Sequence, residues 1–293
     1  MSLPSLLSVA HSGGQGKTTF AQLLYIFTRQ QNLQFQPVSA DFLDRNCASK
    51  FGKLYPDQVL EIGIGAQINA ARLQNDPGAA VRYWDAMGEL LIKGGNVVDL
   101  GANVIAGLID WAADRRFHHL IDRMNVPAVE FFCVAREGKH AFDDISSVVQ
   151  KLTEPRLFRN TRFYIVKNEA GGSFRDNSLE RKLQDLFPLE NFVFIQMPAC
   201  QSEIWQKMEA RGVSIETALA YSEERAMSEL GCDIWSASSG IAELRSWVED
   251  MMARLAEARI ITRDSAVARR MEASRQRTAV EVSSVVNLRA ETA

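Results

Sequence analysis

Short apolar runs alternate with helical patterns along most of the chain. The runs that suit strands are Leu6 to Ala10, Phe35 to Ala40, Asn96 to Leu100, Val129 to Ala135, Phe163 to Val166 and Phe192 to Gln196. They are nearly continuous, which is typical of strands buried on both faces. Between them, stretches such as Thr18 to Gln31 and Val81 to Ile92 place apolar residues at the spacing of one helical face. The alternation predicts an α/β fold, with a mostly parallel, doubly wound sheet and helices on both of its faces.

The pattern changes to helices alone after Cys200. The periodicity predicts helices at Trp205 to Arg211, Ile215 to Leu230 and Ile241 to Arg259. From about Ile260 the chain lacks aromatic residues and is rich in Arg, Ser, Ala and Val. We therefore expect one domain over residues 1–259 and a basic, flexible C-terminal tail over residues 260–293.

The tail carries an excess of positive charge. From Arg259 onward, seven arginines stand against four acids, which gives a net charge of +3. The arginines are Arg259, Arg263, Arg269, Arg270, Arg275, Arg277 and Arg289. Two interpretations stay open, an unstructured terminus and a basic arm that contacts DNA without sequence preference or contacts a partner protein.

Composition narrows the remaining choices. The chain has 293 residues, of which 46% are hydrophobic, and a formal net charge of -3. This describes a globular protein with a sizeable core and gives no global reason to expect nucleic-acid binding. The four cysteines are scattered and form no metal-ligand pattern. The N-terminus does not resemble a signal peptide and no apolar stretch is long enough to cross a bilayer, so we expect a cytoplasmic protein.

A glycine-rich loop near the N-terminus carries the clearest chemistry. The segment LSVAHSGGQGKTT, from Leu7 to Thr19, places the loop between a predicted strand and a predicted helix. Glycines allow backbone N–H groups to approach phosphate oxygens closely, and the helix N-terminus favours negative charge. Lys17 is expected to reach the β- and γ-phosphates, and the hydroxyl of Thr18 to bind Mg²⁺. His11 occupies the first glycine position of the G-x-x-x-x-G-K-[ST] pattern.

The loop resembles that of the ParA/MinD family of ATPases, whose usual form is K-G-G-x-G-K-[ST]. The resemblance implies that ATP is bound by Ser12, Gly13, Gly14, Gln15, Gly16, Lys17, Thr18 and Thr19. It also implies an ATP-bridged homodimer that hydrolyses ATP slowly and works with an adaptor or DNA-binding protein in plasmid partition or conjugative DNA transfer. The strand-end sequence VVDLGAN is most similar to the StbB and TraL branch of the family. Ser12 stands where the family keeps a lysine that crosses to the phosphates of the partner subunit.

Two acidic segments match the family in order along the chain. Asp41 and Asp44 follow the second strand, where the family keeps acids that orient water, so the resemblance makes both catalytic with Lys17 and makes Asp41 a metal ligand. Asp99 and Gly101 end the next strand and resemble the segment in which an acid holds Mg²⁺ and a glycine N–H senses the γ-phosphate. Carboxylates at the carboxyl ends of parallel strands lie where such sheets bind ligands.

Two further positions match weakly. Asn168 follows a strand where family members often read the base, and Pro198 lies where they place a proline turn around it. An ordinary polar turn and a proline at a strand end explain these residues equally well.

Two other functions remain open. A P-loop kinase or ligase acting on a small molecule needs a lid, for which Arg45, Arg72 and Arg82 are candidates, although each suits a surface position. A nucleotide-binding interaction module without hydrolysis is suggested by His11 and Ser12, because both depart from the usual motifs.

Overall fold

A computed structural model describes residues 3–41, 48–63, 77–102, 104–154, 156–158, 161–174 and 176–261. Its chain forms two compact units, residues 1–255 and residues 256–293. The first unit contains the sheet and the glycine loop. Of the second unit, residues 256–261 are described, so the tail predicted from residue 260 lies almost wholly outside the described residues.

The centre of the first unit is a seven-stranded sheet. Its strands are β1 (Ser5–Val9), β2 (Gln36–Asp41), β3 (Leu60–Gly63), β4 (Asn96–Leu100), β5 (Val129–Arg136), β6 (Phe163–Asn168) and β7 (Phe192–Met197). They lie in the order β3-β2-β4-β1-β5-β6-β7, and every neighbouring pair is parallel. The predicted fold class is confirmed. The order also places β1, and hence the loop that follows it, between β4 and β5.

Helices connect the strands and continue after the last one. They are α1 (Lys17–Gln30), α2 (Lys50–Leu54), α3 (Pro77–Lys93), α4 (Ile105–Asp114), α5 (Phe117–Met124), α6 (Ala141–Thr153), α7 (Ser178–Leu186), α8 (Trp205–Arg211), α9 (Ile215–Leu219), α10 (Glu223–Leu230) and α11 (Ile234–Glu257), with a short 3₁₀ turn at Glu169–Gly171. The crossovers let parallel neighbours pair, as the sequence pattern predicts.

The central strand is buried on both faces. Leu6 and Leu7 point to opposite faces, and neither is exposed to solvent. On one face, Phe20 of α1 packs against Phe132 of β5 with ring centroids 5.5 Å apart. This packing fixes the start of α1 over the sheet, directly after the glycine loop.

Three elements differ from the sequence prediction. Strand β3 was not predicted from the sequence. It has only four residues and lies at the edge of the sheet. The helix predicted from Ile215 to Leu230 is two helices, because the Ser222 hydroxyl accepts the N–H of Arg225 and starts α10 anew. Helix α11 begins before the predicted Ile241, where the Asp233 carboxylate accepts the N–H of Trp235 at 2.9 Å.

Candidate functional site

The glycine loop turns the chain from the end of β1 into α1. Gly14 and Gly16 adopt φ angles of 76° and 95°, which side chains with a Cβ atom rarely adopt. The carbonyl of Gly16 accepts the N–H of Phe20 at 3.0 Å, so α1 begins directly at the loop. Gly13 and Gly14 are exposed at its tip. The loop therefore offers backbone groups and a helix N-terminus at the carboxyl edge of the sheet, which is the arrangement that binds phosphate groups.

Lys17 lies folded over this loop. Its side chain is 8% exposed, and its Nζ donates a hydrogen bond to the carbonyl of Ser12 at 3.2 Å. Burial lowers the pKa of Lys17, and the nearby carboxylates of Asp99 and Asp41 act in the opposite direction. The ammonium group is thus held beside two acids at the edge where phosphate oxygens would enter.

A hydrogen bond joins Thr18, in the first turn of α1, to Asp99 of β4. The Thr18 hydroxyl donates to Oδ2 of Asp99 at 2.7 Å. Asp99 stands beside Ser8 in the register of β1 and β4. Burial raises the pKa of Asp99 to about 6, although the Thr18 hydrogen bond and the charge of Lys17 both lower it. The second oxygen, Oδ1, is buried and has no hydrogen-bond partner among the described residues.

Asp41 and Gly101 form the next part of this edge. The N–H of Gly101 donates to the carbonyl of Ala40 at 2.8 Å, which ties the end of β4 to β2. A Cβ atom placed on Gly101 would overlap the carboxylate of Asp41. Glycine is therefore required here by the close approach of Asp41. Asp44 lies outside the described residues.

These oxygens fit a magnesium ion. Mg²⁺ prefers hard oxygen ligands and is usually held by one or two carboxylates, with phosphate oxygens and water completing its shell. Thr18 and Asp99 supply such oxygens, and the buried Oδ1 of Asp99 has the free lone pairs that a cation or its water would use. In the part of the chain that the structure describes, no three His, Cys, Asp or Glu side chains gather in a metal-binding cluster.

Asn168, at the end of β6, forms a hydrogen bond with the backbone of the glycine loop. It is 5% exposed, and its side-chain amide donates to the carbonyl of Gln15 at 2.8 Å. Its Oδ1 accepts the N–H of Ala170 at 3.0 Å. A Cβ atom on Gly16 would overlap the same amide, so a glycine lets the loop settle on Asn168. Both ends of the Asn168 amide are occupied by the protein, and base reading by this residue stays a prediction.

Two other predicted site residues are Thr19 and Pro198. Thr19 is half-buried in the first turn of α1. Pro198 follows β7 and is half-buried, and its carbonyl accepts the indole N–H of Trp247 at 2.8 Å. Their contact with a nucleotide stays a prediction.

A polar network that the sequence did not reveal joins the loop to α6. Gln15 donates to the Ser12 hydroxyl at 2.8 Å, and both residues reach Oδ2 of Asp144 at 3.4 Å. The Oε1 of Gln15 accepts the N–H of Arg136 at 2.7 Å, which anchors the loop to the end of β5. The residue in the position of the family's bridging lysine therefore faces an acid of its own subunit.

His11 adds a second contact to the same helix. Its Nδ1 lies 3.4 Å from the hydroxyl of Ser147. Ser147 and Asp144 are more than a hundred positions from the loop in sequence, and neither belongs to a motif, so no local signal marked them.

The described helices include none with the length and hydropathy needed to span a membrane. The lid candidates Arg45 and Arg72 lie outside the described residues, and the side chain of Arg82 is not described.

Comparison with known proteins gives matches among solved structures alone. No family model and no curated protein matches the chain. A ParA family ATPase of Chlorobium tepidum is 12% identical with a TM-score of 0.45, over 84% of this chain and 98% of that one. The MinD cell division protein of Aquifex aeolicus is 13% identical with a TM-score of 0.40, over 84% and 97% of the two chains. The McdA protein of Cyanothece, in complex with ATP, is 11% identical with a TM-score of 0.42, over 85% and 97%.

With TM-scores of 0.40 to 0.45, these matches carry no argument about the fold of this chain, which rests on its own sheet. At 11–13% identity they do not carry residue roles from one protein to another. Assignment to the StbB and TraL branch stays a prediction. The function is therefore argued from the site alone.

Proposed function

We propose that the chain is a nucleotide-dependent switch that binds ATP with Mg²⁺, dimerises around it and hydrolyses it slowly. The observation that carries the proposal is that buried Lys17 lies near the hydrogen-bonded pair of Thr18 and Asp99 at one edge of the sheet, directly after a glycine loop. A buried cation grouped with a carboxylate whose second oxygen has no hydrogen-bond partner among the described residues is typical of functional sites.

Each residue has a defined part in binding. The backbone N–H groups of Gly13 to Lys17 and the ammonium of Lys17 hold the phosphate oxygens. Thr18 and Asp99 would hold Mg²⁺, which supplies positive charge against the phosphates when bound. Binding also relieves the cost of the buried Asp99 carboxylate, because a cation favours its charged form.

Hydrolysis requires an oriented water near the γ-phosphate. Asp41 lies against Gly101, at the sheet edge where the family resemblance places the γ-phosphate, so its carboxylate is the group that would orient this water. Because one carboxylate alone would position this water, and residue 12 supplies no cation, we expect ATP hydrolysis to be slow. Asp44 remains an alternative for the same role.

The nucleotide experiment is direct. Titration calorimetry with ATP and Mg²⁺ is expected to show one site per chain, lost in Lys17→Ala. Analytical ultracentrifugation is expected to show a dimer with ATP and a monomer without it. A chain that binds ATP but sediments as a monomer under both conditions contradicts the switch, and a chain that binds no nucleotide contradicts the whole proposal.

We further propose that the switch acts in plasmid partition or conjugative DNA transfer in the cytoplasm. Its partners would be an adaptor protein and DNA. The support for this proposal is the family resemblance of the loop and the arginine-rich tail. DNA binding by the ATP-bound protein is expected to weaken steeply with salt. A variant ending at Arg259 should lose most of this binding while it keeps ATP binding, and unchanged DNA binding in that variant would rule the tail out.

A nucleotide-binding module without hydrolysis is the second candidate. It is favoured by the contact of Ser12 with Asp144, because an acid beside position 12 opposes the developing negative charge at the phosphates. A steady-state ATPase assay with DNA separates the two candidates, since a DNA-stimulated rate excludes this one. A kinase or ligase has no support among the described residues.

A further inference from the structure

A cavity lies on the flank of α1. It has a volume of about 560 Å³ and is enclosed by α1, α2, α8 and the segment that leads into α9. This volume is within the range of cavities that hold small ligands, roughly 300–1,000 Å³. None of its lining residues belongs to the glycine loop, and neither Asn168 nor Pro198 is among them.

The rim of the cavity is positively charged. Lys50, Lys53 and Arg211 line it together with one acid, Glu209. Glu209 is 3.4 Å from the ammonium of Lys50. Among the described residues, neither Lys53 nor Arg211 forms an ion pair, so two cations remain for a ligand that enters from solvent.

The floor of the cavity contains a polar group with unused donors. Gln22 of α1 is 6% exposed and lines the cavity. Its Oε1 accepts the N–H of Ile215 at 3.0 Å, which fixes the orientation of the amide. Its NH₂ group has no hydrogen-bond partner among the described residues. The NH₂ group is accessible from the cavity, so a ligand oxygen can accept its hydrogen bond in place of water.

The remaining walls are apolar. Leu54, Met208 and Ile215 are buried side chains, and Trp205 forms part of the wall while packing edge-on against Trp247 at 5.4 Å. Apolar walls with a few convergent polar groups are typical of small-molecule sites. A free phosphate ion would leave these walls without a partner, so the ligand needs an apolar body as well as a charge.

We propose that this cavity is a second ligand site, which binds a small organic anion with an apolar body. The anionic group, a carboxylate or a phosphate, meets Lys53 and Arg211 at the rim. An acceptor oxygen meets the amide of Gln22, and the body lies against Trp205 and Met208. The site is separate from the glycine loop and does not depend on the proposed ATPase activity.

The test uses a pair of probes with the same body. Cyclohexanecarboxylate and the neutral cyclohexanecarboxamide are titrated into the full chain, with calorimetry and tryptophan emission as readouts. We expect the carboxylate to bind one to one and at least about threefold more tightly than the carboxamide, because two partly exposed cations contribute to it. Inorganic phosphate alone should bind far more weakly than the carboxylate. Equal affinity for the two organic probes, or no binding of the carboxylate, overturns the proposal.

Variants assign the binding to this cavity. Lys53→Gln with Arg211→Gln should weaken the carboxylate by roughly three- to tenfold. The matched control is Lys151→Gln with Lys182→Gln, which removes the same charge from exposed positions on α6 and α7 and should change nothing. Gln22→Glu keeps an acceptor for the N–H of Ile215 but replaces the donor with a negative charge, and it should abolish binding. Equal affinity in the Lys53/Arg211 variant and its control contradicts the assignment.

Competition with nucleotide separates this site from the first. Carboxylate binding should persist at saturating ATP and Mg²⁺, and in Lys17→Ala. If ATP displaces the probe competitively, the cavity is part of the nucleotide site and the proposal fails. If an acidic peptide with an apolar anchor binds and both organic probes do not, the cavity is a protein-docking surface and the proposal also fails.

Discussion

The hydroxyl of Thr18 lies 2.7 Å from the carboxylate of Asp99, although 81 positions separate the two residues in sequence. The bond links the first turn of α1 to the end of β4. It brings a hydroxyl and a carboxylate, both good ligands of Mg²⁺, to the end of the glycine loop.

Thr18→Val tests this pair, because valine keeps the shape of threonine and removes its oxygen. We expect ATP binding with Mg²⁺ to weaken by about tenfold or more, the effect of losing one charge-assisted contact. Binding measured in EDTA should change little. Calorimetry with and without Mg²⁺ gives both values. Thr28→Val, further along α1, is the control, and a variant with equal losses in both media would contradict the metal role.

The buried carboxylate of Asp99 should make the stability of the ligand-free protein depend on pH. Its pKa is raised from 3.8 to about 6 in the folded state, so the folded protein binds this proton more tightly than the unfolded chain. The resulting stabilisation is present below pH 4 and is lost as the pH rises through 6.

Asp99→Asn should remove this dependence. As the pH rises from 4 to 7.5, the free energy of unfolding of this variant should increase relative to that of the original protein by an amount on the order of 2 kcal/mol. The figure follows from about 1.4 kcal/mol for each unit of pKa shift. Urea unfolding at several pH values measures the gain. Asp185→Asn on α7 serves as the control at an exposed position. Parallel pH curves for Asp99→Asn and the original protein would argue against the raised pKa.

Ser12→Lys should restore a positive charge at the position where the family resemblance expects one. We expect the ATPase rate to rise by about tenfold or more, since a cation near the phosphates stabilises developing negative charge. Ser12→Gln, which is long but neutral, should leave the rate unchanged. A steady-state assay compares them, and equal rates in the two variants would count against a missing cation as the reason for slow hydrolysis.

Asp144 should limit the increase in ATPase rate that we expect for Ser12→Lys. Asp144 lies 3.4 Å from the Ser12 hydroxyl, so a lysine introduced there has an acid of its own subunit within reach. Adding Asp144→Asn to Ser12→Lys should release the lysine and raise the rate further. A lower rate in the double variant would mean that Asp144 positions the lysine productively.

Gly101→Ala should displace the Asp41 carboxylate. The added methyl group overlaps Asp41, so we expect a loss of about 1–3 kcal/mol in the free energy of unfolding and a loss of hydrolysis with ATP binding largely kept. Asp41→Ala combined with Gly101→Ala should recover part of the stability, because the overlap with the carboxylate is then absent, while the contact with the Asp41 Cα at 3.0 Å remains. Additive losses in this double-mutant cycle would show that the two residues do not interact.

Local sequence was sufficient to place the glycine loop between a strand and a helix and to predict six of the seven strands. The loop is a run of consecutive residues between a strand and a helix, and Asp99 ends an apolar run, so neighbours in sequence carry the signal. Edge strand β3 was missed because four residues give too little periodicity.

Contacts between residues that are far apart in the chain could not be predicted from the sequence. Asp144 lies on the surface of α6 in an ordinary helical pattern, and only the parallel pairing of β1 with β5 brings that helix to Ser12. The resemblance gave Asn168 a base-reading role, which stays a prediction, and did not foresee its hydrogen bond with the Gln15 carbonyl, which depends on the position of β6 in the sheet.

The glycine loop is also a mechanical connection between the two halves of the sheet. Thr18 holds it to β4 on one side, and on the other side Gln15 bonds to the end of β5 while Asn168 of β6 holds its backbone. If phosphate binds here as proposed, a shift of the loop by a fraction of an ångström would alter contacts on both sides together. Strands β4 and β6 are not neighbours in the sheet, yet both contact this one short segment of chain.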